Sequence, residues 1–112
     1  MYYPASWSVE KIQEYHPFNE YTCFDESSAH KYLTEDFDVN QNDCVADIGA
    51  AEGLFSLAIV DKVKKIYIFE GDNIWLKPLN ATFRDYQDKI VIINKYVSDI
   101  NWNTFVTLDK FF

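Results

Sequence analysis

Basic residues are scarce in this chain: ten Lys and Arg stand against eighteen Asp and Glu, for a formal charge of -8 over 112 residues. The ten are scattered. The densest group, Lys62, Lys64 and Lys65, reads as a solvated helix end, where cations suit the dipole. A phosphate backbone or an anionic membrane surface needs clustered positive charge, so neither nucleic acid nor a membrane is expected as partner. No apolar run approaches the ~18 residues of a membrane span. No basic-then-apolar leader opens the sequence either, and the expected location is the cytoplasm. Cysteine is nearly absent: Cys23 and Cys44 follow no metal-ligand spacing, and no Cys-x-x-Cys occurs. Reduced thiols are expected, with Cys44 as a small core residue opening a strand. His16 and His30, the only histidines, lack a metal-spaced partner. No G-x-S-x-G surrounds Ser56, and no Gly-Lys-Ser/Thr marks a phosphate loop.

Aromatics, by contrast, are abundant at 18%, with nine Phe and eight Tyr, which favours one packed domain. Residues 1–43 are polar, aromatic and weakly periodic, an N-terminal helical or irregular segment. A short helix is expected from Ser8 to Tyr15, stopping before Pro17. A second is expected from an Asp25 or Ser27 cap through Ala29, Tyr32 and Leu33 to about Phe37. Glu26, Glu35, Asp36 and Asp38 read as a solvated face, and "DVNQND" as a turn.

From residue 44 the pattern changes. Cys44 to Ile48, Ile66 to Phe69 and Ile90 to Ile93 are short apolar strands. Leu54, Leu57 and Ala58 mark one face of a short helix between the first two. Ile74 to Tyr86 is helical by its Leu76, Leu79 and Phe83 spacing, with Asp72 or Asn73 as cap. Pro78 should kink that helix unless it falls in the first turn. The alternation βαβαβ predicts an α/β fold over residues 44–112, a Rossmann-like parallel sheet in spatial order 3-2-1, with helices covering its faces.

The stretch "VADIGAAEGLFSL", residues 45 to 57, lies where the first strand should become a helix. Ligands of such sheets sit beyond the carboxyl ends of the strands. Gly49 lets the chain turn and lets a ligand lie against bare backbone. Gly53 lets the following helix pack close to the strand. Glu70 ends the second strand beside this turn, where a carboxylate accepts both hydroxyls of a ribose. A nucleoside site follows. Positions 49 to 54 read G-A-A-E-G-L rather than G-x-G-x-x-G. Ala51 replaces the second glycine, and Glu52 repels a pyrophosphate, which disfavours an NAD-binding oxidoreductase. S-adenosylmethionine carries a sulfonium and an ammonium, and an acidic turn of Asp47 and Glu52 suits it better.

Together, "VADIGAAEGLFSL", "IYIFEGD", "VIINKYVSD" and "TLDKFF" resemble consecutive landmarks of the FkbM-like S-adenosylmethionine-dependent methyltransferases, a branch of the class I methyltransferase fold. The resemblance covers roughly residues 36 to 112. It implies that Asp47, Gly49, Ala50 and Gly53 surround the methionine part of the cofactor. It likewise places Glu70 at the ribose, Asp72 and Ile74 near the adenine ring, and Asp99 at the adenine amino group. The implied activity is O-methyl transfer to a hydroxyl, such as that of a sugar or another small-molecule acceptor. Gly71 stands where the family usually has Pro, and Ala51 where it has Asn. The sequence stops at Phe112, ahead of the family's fourth strand, so the cofactor-binding part alone is implied, without turnover. The first strand would then keep an open edge, which either self-associates or takes up the tail from Phe105 to Leu108. The alternative reading is a catalytically silent Rossmann-like binding or assembly module.

Overall fold

The computed structural model describes residues 1–25, 33, 38–98 and 105–108. The helix expected to reach Phe37 falls largely outside these residues, as do His30, Trp102 and Asp99. Three strands, β1 (Cys44–Ile48), β2 (Lys65–Phe69) and β3 (Ile90–Ile93), form a parallel sheet in the order β1-β2-β3. Register places Val45 beside Ile66 and Ile66 beside Ile90, then Asp47 beside Ile68 and Ile68 beside Ile92. The architecture is mixed α/β, with helix α2 (Leu54–Ile59) joining β1 to β2 and helix α3 (Leu76–Thr82) joining β2 to β3.

The core lies on one face of this sheet. Ile66 and Ile68 are fully buried against Ile59, Val60 and Val63 from the α2 connection and against Leu79 and Phe83 from α3. The other face is barer except at Phe69, which is buried: Cys44, Ala46 and Ile48 are exposed, and Tyr67, Val91 and Ile93 are half-buried. The connections through α2 and α3 both pack on the Ile66 and Ile68 face, as two crossovers of one hand advancing the same way across a sheet require. Cys44 consequently points out of the core it was expected to join.

Local chemistry explains the connections. Ahead of α3 the Asp72 carboxylate accepts the Ile74 N–H at 3.1 Å and caps a single 3-10 turn, Asn73–Trp75. Pro78 is the third residue of α3, where its missing N–H is one of the unpaired ones anyway. The expected helix to Tyr86 is interrupted at Phe83, whose φ of -102° and ψ of 19° leave the helical region, and a second 3-10 turn (Arg84–Tyr86) follows.

The N-terminal helix α1 runs from Val9 to Phe24, nine residues past its expected end at Tyr15. The Ser8 hydroxyl caps it, accepting the Lys11 N–H at 3.1 Å. Pro17 lies inside the helix and removes one backbone bond, a cost of about 3 kcal/mol. The helix persists because Tyr15 and Asn19, one turn apart on either side of Pro17, both donate to the Glu52 carboxylate.

Beyond β3 a two-stranded parallel pair forms from β4 (Tyr96–Val97) and β5 (Phe105–Val106). The tail expected on the edge of β1 thus pairs with β4 instead, a partner only nine residues away, where loop closure costs less than to residue 44. Gly71 lies directly beneath the Tyr96 ring, so any side chain there overlaps it. Among the described residues, no helix is long and apolar enough to cross a membrane.

Candidate functional site

Where β1 ends, the chain makes a turn with three left-handed residues in five: Gly49 at φ 72°, Ala51 at 50° and Gly53 at 81°. Three backbone donors hold it. Gly49 N–H reaches Phe69 O at 2.8 Å, Gly53 N–H reaches Ala50 O at 2.8 Å, and Ala51 N–H reaches Glu70 Oε1 at 2.8 Å. A left-handed alanine costs about 1–2 kcal/mol, and the bond to the Glu70 carboxylate offsets this strain. Glu70 Oε2 accepts the Asp72 N–H at 3.0 Å, so one carboxylate ties the turn to the chain leaving β2.

The two glycines face different surroundings. A Cβ on Gly49 would meet nothing within 4 Å. On Gly53 it would lie 2.7 Å from Phe83 Cε2 and 3.0 Å from Leu79 Cδ2, so the close approach is to α3 rather than to β1. Only Gly49 borders open space.

Asp47 is nearly enclosed. The Ser56 hydroxyl, itself fully buried, donates to Asp47 Oδ2 at 2.6 Å. Burial pushes the Asp47 carboxyl above its ordinary range, the hydrogen bond from Ser56 opposes this, and the charges of Glu52 and Glu70 add to the rise. Glu52 is 1% exposed and accepts the Tyr15 hydroxyl at 2.9 Å together with the Asn19 amide. The acid expected to face a ligand thus serves first to anchor α1. Between α1 and the turn lies a cavity of about 90 Å³, bordered by Tyr15, Asn19, Asp47, Gly49, Glu52 and Phe55.

The residues assigned from the sequence separate into groups. Asp47, Gly49 and Ala50 border the cavity together. Glu70 joins them through Ala51 but turns its carboxylate onto backbone N–H groups. Gly53 faces α3. Asp72 spends one carboxylate oxygen as a cap, and Ile74, 45% exposed, stands outside the cavity lining. Asp99 lies outside the described residues. No group of three His, Cys, Asp or Glu arranged for a metal occurs among the described residues.

Three contributors were not legible as site residues: Tyr15, Asn19 and Ser56. Tyr15 and Asn19 share the i, i+4 spacing of one helix face, a signal hidden by Pro17 between them. Their helix rests on an aromatic cluster in which Trp75 sits 5.1 Å from the Trp7 ring and 6.2 Å from the Tyr3 ring. Trp7 and Trp75 pack edge to face within it. The Tyr3 hydroxyl lies 2.6 Å from His16 Nδ1, and burial, with Glu52 and Glu20 nearby, pushes its pKa up to about 12. No protein-family model matches the chain, and no curated protein matches it.

Proposed function

We propose that the turn at the end of β1 binds the cationic amino-acid end of S-adenosylmethionine, and that the chain is the cofactor-holding part of an O-methyltransferase of the FkbM-like, class I kind. The observation that carries this reading is the open space over Gly49 beside Asp47, a largely enclosed carboxyl whose ionisation is opposed first by burial and then by the charges of Glu52 and Glu70. A ligand bringing positive charge relieves that opposition, whereas a pyrophosphate adds to it. The NAD reading is the weaker for this reason.

The residues fit the cofactor in part. A cavity of about 90 Å³ takes an amino-acid end only, since pockets for whole ligands run to about 300 Å³ or more. Asp47 would hold the ammonium, and bare backbone at Gly49 would lie against the methionine chain. Glu70 accepts two backbone bonds, and an ionised carboxylate has about four acceptor sites, so two remain for ribose hydroxyls. Asp72, Ile74 and Asp99 belong to the adenine side of this proposal. When bound, the cofactor supplies an electrophilic methyl group; a hydroxyl, such as that of a sugar, is the proposed acceptor. What this chain contributes is binding and orientation, the positioning part of catalysis.

A specific observation favours the second reading, a silent binding or assembly module. Glu52 and Glu70 are both engaged within the protein, and α1 narrows the space over the turn. Calorimetry with S-adenosylhomocysteine separates the two. On the cofactor reading, Asp47→Asn weakens binding by about 1.5–3 kcal/mol, the range for a hydrogen bond to a charged group, which is roughly ten- to 150-fold. The pH dependence has a definite sign. Because its pKa is raised in the fold, Asp47 remains protonated above the usual carboxyl range, so affinity rises as pH passes upward through the raised value. Stability of the free protein runs the other way: Asp47's contribution is fully present below its unfolded pKa and is lost as pH climbs through the folded one. Asp47→Asn, which keeps an acceptor for Ser56, flattens both profiles. No heat of binding at any pH supports the silent module.

A further inference from the structure

Helix α2 reads Leu54, Phe55, Ser56, Leu57, Ala58, Ile59, and Ser56 is its only polar side chain. That side chain is fully buried. A hydroxyl withdrawn from water costs free energy unless it is hydrogen-bonded, and one inside a helix commonly turns back onto the carbonyl a turn before it. Ser56 instead reaches out of its helix and donates to Asp47 Oδ2 on β1 at 2.6 Å. Such a length belongs to an O–H···O⁻ bond, which is shorter and stronger than its neutral counterpart.

The other groups around Asp47 do not support its charge. Glu52 of the turn and Glu70 at the end of β2 oppose it. Tyr15 of α1, on the far wall of the shared cavity, gives its hydroxyl to Glu52. Among the described residues, no Lys, Arg or His borders that cavity. Ser56 is thus the one donor to the Asp47 carboxylate among them, and Oδ1 is left without a partner. No buried side-chain oxygen among these residues lacks a partner, so Oδ1 opens on space.

We propose, resting on the cofactor reading, that Ser56 is a positioning residue for the ligand's ammonium: its hydroxyl pins Asp47 Oδ2 and holds the carboxylate in its charged form, so that Oδ1 meets the cation. Without the hydroxyl, Asp47 keeps its place in the chain with its charge unsupported, and a proton then competes with the ligand.

NMR of the Asp47 carboxyl carbon, followed against pH in the full chain without ligand, tests the hold on Asp47. In Ser56→Ala the midpoint should rise by about one pH unit or more, because a bond to the charged form is lost. Ser56→Thr, which keeps the hydroxyl, should titrate as the parent does. If its extra methyl is not accommodated, Ser56→Cys, close in volume and a weaker donor, should fall between the parent and Ser56→Ala. Calorimetry tests the consequence for binding. Midway between the two midpoints, Ser56→Ala should bind S-adenosylhomocysteine about threefold or more weakly, the ratio of ionised fractions for a one-unit shift. Methylthioadenosine, which lacks the amino-acid end, should bind both proteins alike. An Asp47 midpoint that stays put in Ser56→Ala, or that moves as far in Ser56→Thr, would overturn the proposal, as would an equal loss of both ligands. With a displaced midpoint but no heat from S-adenosylhomocysteine and the parent, the cofactor reading falls while the hold of Ser56 on Asp47 stands.

Discussion

Gly49 and Gly53 stand four residues apart with nearly the same backbone, φ 72° and 81°. They are nevertheless constrained by different physics. At Gly49 an added methyl enters open space, so Gly49→Ala should cost only the left-handed strain, about 1–2 kcal/mol. At Gly53 the same methyl also overlaps Phe83 and Leu79. Overpacking adds about 1–3 kcal/mol, for a total near 2–5 kcal/mol. Urea unfolding of both variants measures the difference. Equal losses would mean that α3 yields without cost and that the contact does not constrain residue 53. The sequence made both positions visible as glycines beside a strand end. It did not distinguish them, because Phe83 is thirty residues away in the chain.

At the scale of elements, β1 and β3 begin and end where the apolar runs do, and β2 starts one residue earlier. Short strands bounded by polar turns are local features. Helix α1 is not. Proline at position 17 predicted a stop, and the contacts of Tyr15 and Asn19 with Glu52 carried the helix through. If those anchors hold α1 despite its missing bond, Pro17→Ala should restore the N–H to the Gln13 carbonyl and raise stability by about 1–3 kcal/mol. Thermal unfolding reads this directly. A variant no more stable than the parent would show instead that proline at position 17 is what lets both side chains reach one carboxylate.

Across the whole molecule, the N-terminal segment is joined to the sheet by rings as well as by Glu52. Trp75, 6% exposed at the entrance to α3, meets Tyr3, Trp7 and Tyr15. Truncating a buried tryptophan costs about 3–5 kcal/mol, a large share of the ~5–15 kcal/mol that stabilises a domain. Trp75→Ala should therefore lower the melting temperature and also speed amide exchange in α1, which lies far from residue 75 in sequence. Exchange in α1 that stays at the parental rate would locate its attachment at Glu52 alone. The distinction bears on the site, since α1 forms one wall of the cavity over the glycine turn.

By itself the sequence determined what depends on neighbours within a few residues: the three apolar strands, the start of a helix near Ser8, the cap at Asp72, the turn at Gly49 and the acids that surround it. Charge balance, too, is a property of composition and was fixed before folding. Tertiary structure decided what those groups do. It placed Glu52 under α1 and turned Glu70 onto the Ala51 and Asp72 N–H groups. It also buried Ser56 against Asp47 and left Cys44 exposed. A carboxylate's partners are whichever donors the fold brings within about 3 Å of it, and no pattern read along the chain carries that distance.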